Sequence, residues 1–194
     1  GKSVGNIVSI DDVSARYGSP EVVRYILMRI LNYEKDVEIS WSIFDSIYTG
    51  DLVNNYGNLV RRVASLSIRK LGGEVVRDLD EDFIKEIEIL KNKALEAYEK
   101  FKIDEALKYA MEISHRTNAY LNRTEPWRKD NPTRILYTAL EAIRITTLLL
   151  YPTMPKTTQG IAKSLGFTIE RTDEQLKIGF IDVYRVSEAP IPFK

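Results

Sequence analysis

Five residues, Asn54, Asn58, Arg62, Ser65 and Arg69, recur at steps of four, four, three and four through NNYGNLVRRVASLSIRKLGG. At about 100° per residue they share one narrow arc of a helix, with Asn58 and Arg62 as direct neighbours. No acidic residue joins them, although a solvated helix face ordinarily mixes Glu with Lys. Asn is a poor helix former, losing several tenths of a kcal/mol relative to Ala, so something other than helix stability selects two of them here. An amide offers one acceptor and two donors, and a guanidinium offers a planar fork of donors. Together they suit the edge of a nucleobase, where donors and acceptors lie in one plane. A polar stripe opposite an apolar one is also what an ordinary bundle helix shows, and the pattern alone leaves both readings open.

A second constellation lies in TEPWRKD, where Trp127 follows Pro126 and is flanked by Arg123, Arg128 and Lys129. A tryptophan there caps the end of a bundle or offers a flat face to an unstacked base, a contact of roughly 1–3 kcal/mol. Hydrogen-bonding edge, stacking plate and local positive charge are the parts that single-stranded RNA recognition requires.

The elements that must position these groups are helical. Ser9 and the acids Asp11 and Asp12 mark a helix start that stops at Tyr17-Gly18. Pro20 opens a second helix with Val23, Ile26, Leu27 and Ile30 at helical spacing. Ser40 caps a third, which runs, with a break expected at Gly50, to the stop signal Gly72-Gly73. On it Leu52, Tyr56, Leu59, Val63 and Leu66, with Val60, Ala64 and Ser67 beside them, form the side predicted to be buried. A fourth helix follows Asp80-Glu81-Asp82 and carries Phe83, Ile87, Leu90, Ala94 and Phe101 on one side. A fifth carries Ala106, Leu107, Ala110, Met111 and Leu121, and TEPWRKDNP ends it. Pro132 opens another, closed by Pro152 and Pro155; TTQGIAKSLGF is a shorter one. The tail from Thr168 holds a short strand or turn at IDVYRV. The fold class is all-α: a bundle of about five helices behind a small helical segment.

Composition narrows the chemistry. The 194 residues carry 28 basic and 28 acidic side chains, so any basic surface is local. Cysteine is absent, which excludes disulfides, thiolate zinc sites and cysteine nucleophiles. The single histidine, His115, has no metal-spaced partner and reads as a polar helix residue, and no metal is expected. GKS at the start lacks the upstream glycine and strand of a P-loop. The acidic pairs at 11–12 and 80–82 read as helix-start charges rather than general acids. Of the 11 tyrosines, Tyr25, Tyr56 and Tyr98 sit at core positions. No signal peptide is visible, and the apolar run near LLLYPTMP is too short for a bilayer, so a cytoplasmic protein without a membrane partner is expected. The chain starts without Met and is read as a piece of a longer one, with Gly1 native or a cloning remnant.

Over nearly its whole length the sequence resembles the methionyl-tRNA synthetase family. KSVGN (2–6) with DDVSARYG is similar to the end of the KMSKS signature and the stem-contact fold behind it, DLVNNYGNLVRR (51–62) to the anticodon-reading helix, and NAYLNRTEPW (118–127) to the second anticodon element. The resemblance implies an anticodon-binding region with three parts: residues 1–39 (end of the KMSKS loop and stem-contact segment), 40–167 (bundle) and 168–194 (tail packing on the bundle). It implies that Asn58 and Arg62 hydrogen-bond the first anticodon base, a cytosine, while Trp127 stacks on it. Arg61, Arg69, Arg123, Arg128 and Lys129 are candidates for the RNA backbone. Lys2 and Ser3 are what remains of the KMSKS loop, with Gly1 where the family usually has Ser. Nothing like the HIGH motif is present, so the fragment is expected to be catalytically inactive and without cofactor. The parent enzyme would use ATP with Mg and methionine, and its partners would be tRNA(Met) and the catalytic domain of the same chain. No appended dimerisation domain is visible, and a monomer is expected. The alternatives are the anticodon domain of a related class I synthetase (Ile, Val, Leu or Cys) and a helical scaffold for protein partners.

Overall fold

Each predicted start signal heads a helix. Ser9 accepts a hydrogen bond from the Asp12 amide at 3.1 Å and opens α1 (Ile10–Tyr17), which Gly18 ends in the left-handed region. Pro20 opens α2 (Pro20–Ile30), and Ser40 accepts from the Ile43 amide to open α3 (Trp41–Ile47). Beyond the π-helical stretch Tyr48–Gly57 come α4 (Asn58–Leu71), α5 (Glu81–Glu99), α6 (Ile103–Thr124), α7 (Thr133–Leu150) and α8 (Pro155–Leu165). Asp80 caps α5 by accepting from the Phe83 amide, as its position among helix-start acids predicts. The computed structural model describes residues 9–32, 36, 39–170 and 172–194, so Lys2 and Ser3 lie outside the described residues. Among those described, no helix is long and apolar enough to cross a membrane.

The described residues are mostly α-helical, with one small two-stranded sheet. β1 (Glu74–Val76) pairs antiparallel with β2 (Val183–Arg185), Val75 opposite Tyr184. β2 falls within the predicted IDVYRV strand, whereas β1 had no alternating pattern long enough to announce it. If α3, the π-helical stretch and α4 count as one rod, the described residues hold seven α-helical rods rather than about five, two of them in the front segment.

The apolar stripes converge on α7, where Leu136, Leu140, Ile143, Ile145 and Leu150 are buried. The stripe predicted along the rod is buried as well, from Leu52 on the π-helical stretch to Ser67 on α4. Phe83 of α5 stacks on Tyr120 of α6, ring centroids 4.1 Å apart. Glu141 and Arg144 are buried together on α7, Arg144 Nη2 donating to Glu141 Oε2 at 2.8 Å and to the Lys177 carbonyl at 2.7 Å. The Gly179 amide donates to Glu141 at 2.7 Å, so this pair fastens the segment before β2 across the bundle. The front segment is fastened by Glu21 of α2, which accepts from the Lys156 and Thr157 amides at the start of α8.

Two expectations fail. Gly50 does not break the rod; a π-helix carries the chain through it. Phe101 does not share the α5 stripe: the helix ends at Glu99, and Phe101 turns out at φ 56 with 78% of its surface exposed. Its i+3/i+4 spacing fits a helix that the tight turn into α6 cuts short.

Candidate nucleic-acid interface

Burial of one side of α4 leaves the opposite side to water. Asn54, Asn58, Arg61 and Arg69 are exposed, and Arg62 and Ser65 are half-buried. The left-handed Glu125 ends α6, buried Pro126 starts a 3-10 turn (Pro126–Arg128), and Trp127 stands out 37% exposed. Lys70 donates to the Lys129 carbonyl at 3.2 Å, holding this loop against the end of α4.

Arg62 lies between these parts. Its Nη1 donates to Asn118 Oδ1 at 3.0 Å and its Nη2 to Asn122 Oδ1 at 2.8 Å, and its guanidinium carbon lies 5.9 Å from the centre of the Trp127 ring. Asn118 and Asn122 are four apart on α6 and face α4 together. Asn118 donates in turn to the Asn55 carbonyl at 3.2 Å, and Asn55 donates to the Met111 carbonyl at 3.0 Å. No carboxylate pairs with Arg62 among the described residues, and burial alone pulls its guanidinium below its ordinary value. It stays a cation, since a guanidinium holds its proton in proteins. Two of its five donors are used by asparagines, and three remain. The Asn58 side chain makes no hydrogen bond among the described residues.

Asn58 and Arg62 form a ridge between two cavities. One, of about 380 Å³, is lined also by Arg61, Ser65, Leu66, Arg69 and Trp127. The other, of about 780 Å³, runs towards α2 past Asn54, Asn55, Asn118 and His115. The three residues predicted to work together thus border one cavity. Arg61 and Arg69 also line it and make no ion pair among the described residues. Arg123 lies over the Tyr120 ring, and Arg128 pairs with Glu125 at 3.5 Å. Sequence reasoning missed the roles of Asn55, Asn118 and Asn122. The i, i+4 asparagines within NAYLNRTEPW were the signal available.

The family described as "Anticodon-binding domain of tRNA ligase" matches residues 80–180, just over half the chain. The chain belongs to that family. A second family, "tRNA synthetases class I (M)", matches residues 1–64, so Asn58 and Arg62 fall in one match and Asn118, Asn122 and Trp127 in the other. Similar curated proteins are methionine–tRNA ligases: one from Archaeoglobus fulgidus is 25% identical over 99% of this chain and 30% of its own length. One from Ignicoccus hospitalis is 32% identical over 82% of this chain and 29% of its own. The chain therefore spans about 30% of the length of these relatives. Among solved structures, Mycobacterium tuberculosis methionyl-tRNA synthetase in complex with methionyl-adenylate superposes with a TM-score of 0.76 at 27% identity, covering 86% of this chain and 35% of that one. The chain corresponds to the anticodon-binding region of methionyl-tRNA synthetases.

Proposed function

We propose that this region reads the CAU anticodon of tRNA(Met) for a parent enzyme that joins methionine to that tRNA with ATP and Mg. The observation that carries the reading is Arg62, fixed beside Trp127 by two asparagines, with no acid paired to it and Asn58 uncommitted next to it among the described residues. The first anticodon base leaves its stack and lies on Trp127. A cytosine then presents an amino donor to the Asn58 carbonyl and its ring and carbonyl acceptors to Arg62. A uracil presents a ring N–H where cytosine has an acceptor. Arg62 has donors only, and its anchored side chain does not turn away, so the wrong base meets two donors head-on. Arg61, Arg69, Arg123, Arg128 and Lys129 supply phosphate contacts around this point.

On this reading the bundle (40–167) recognises, the front segment (1–39) joins it to the catalytic domain where adenylate chemistry occurs, and the tail (168–194) braces it. The protein works as a cytoplasmic monomer, and this region needs no cofactor of its own. Asn58→Ala in the present chain tests the base contact: its affinity for a CAU stem-loop should fall towards that for UAU, leaving only the part of the preference that Arg62 supplies. A mutant that keeps the full CAU preference would contradict the assignment.

A further inference from the structure

A glycine in mid-helix costs about 1 kcal/mol relative to alanine, and NNYGN places one immediately before Asn58. The structure shows why alanine would not fit. Gly57 ends the π-helical stretch, and the Asn58 amide donates five residues back to Val53. A Cβ on Gly57 would lie 2.6 Å from the Leu52 carbonyl oxygen and 3.0 Å from Cδ2 of Phe193. Phe193 is buried, its ring 6.3 Å from that of Tyr56, which is tied to α7 through Thr147 at 2.6 Å. The next residue holds the other end of the π-helix: Tyr48 donates to the Lys194 carbonyl at 2.6 Å and accepts from the Lys194 amide at 3.0 Å. Two consecutive residues of the tail, distant in sequence, thus grip the first and last residues of the π-helical stretch.

We infer that Phe193 is a positioning residue for base reading: seated over Gly57, it holds the π-turn that aims Asn55 and, through Asn118, Arg62. The inference rests on the proposed reading of the anticodon. π-turns are rare and need local support, and they recur at functional sites. Relaxed to ordinary i→i−4 bonding, the stretch changes register, and everything before Gly57 rotates relative to α4. Asn55 then leaves the Met111 carbonyl and withdraws the backbone oxygen that holds Asn118, and one of the two anchors of Arg62 goes with it.

The test compares Phe193→Ala, Phe193→Leu and, as a control in the same segment, the exposed Ile191→Ala. Each is titrated with stem-loops bearing CAU or UAU. Phe193→Ala should lose roughly tenfold of the CAU preference while its salt-sensitive binding of UAU is unchanged; Phe193→Leu should recover most of it, and Ile191→Ala should match the parent. A folded Phe193→Ala that keeps its preference, or that weakens both RNAs equally, overturns the inference. Should Phe193→Ala not fold, Phe193→Leu takes over the test: a partial loss of preference supports the role and none refutes it. If the parent chain itself shows no CAU preference, the anticodon reading fails first, and hydrogen exchange decides the positioning role alone. Faster exchange at the Asn55–Asn58 amides in the Phe193 variants, with α6 amides unaltered, supports it; unchanged exchange there refutes it.

Discussion

Asn118→Ala removes an anchor of Arg62 without deleting any group proposed to touch a base. The amide accepts from Arg62 at 3.0 Å and donates to the Asn55 carbonyl at 3.2 Å. A hydrogen bond to a charged group contributes about 1.5–3 kcal/mol, and the half-exposed setting argues for the lower end. Since about 1.4 kcal/mol is a factor of ten, the variant should bind a CAU stem-loop roughly tenfold more weakly and bind UAU as before. Leaving the Asn55 carbonyl without its amide should cost about 1 kcal/mol of stability, a fall of some 2–4 °C in Tm. The decisive form is a double-mutant cycle with Arg62→Ala, read by fluorescence titration of both RNAs. If Asn118 acts by holding Arg62, the two losses overlap, with a coupling energy of about 1 kcal/mol. Losses that add within about 0.3–0.5 kcal/mol would show that Asn118 acts independently, and the account of how Arg62 is aimed would be wrong.

Trp127→Ala should reduce CAU affinity by a stacking contact's worth, about 1–3 kcal/mol, and circular dichroism should show an unaltered bundle, because the side chain is partly exposed on a turn. Arg61→Ala should lower affinity for CAU and UAU alike and flatten the salt dependence by about one counterion, measurable by titration at several salt concentrations. At Glu21 burial would raise the carboxyl, but hydrogen bonds from the Lys156 and Thr157 amides and the Thr157 hydroxyl hold it below its ordinary value of 4.5. Its contribution to stability is therefore present above the unfolded value and lost as pH falls through the folded one. Glu21→Gln should flatten the stability curve below about pH 5 in urea unfolding, and an unchanged acid limb would count against that role.

The sequence revealed most where one helix face meets one environment. Leu52 to Ser67 marked a buried side, and Asn58, Arg62 and Trp127 were brought to one cavity across the 64 residues between Arg62 and Trp127. The π-turn was not legible: Leu52, Tyr56, Leu59 and Val63 satisfy α-helical spacing, and the extra residue per turn depends on Phe193, which approaches from the far end of the chain. Asn118 and Asn122 lay inside a segment resembling the second anticodon element, but their hold on Arg62 was not legible, since it depends on which side of α4 faces them. β1 is three residues long and exists only because β2 returns beside it, so no local pattern announces it. Glu141 and Arg144 at i, i+3 look like an exposed pair in sequence, whereas here the tail covers them. Phe101 shows the converse error, an apolar residue at core spacing that the turn between α5 and α6 exposes.

Binding of this chain to two stem-loops that differ only in the first anticodon base, CAU against UAU, at low and moderate salt, tests the central claim most directly. Arg62 and Asn58 as read here predict a CAU preference of about 1–3 kcal/mol that persists while salt weakens both complexes. Equal affinities for the two RNAs at both salts, or no binding to either, would contradict it.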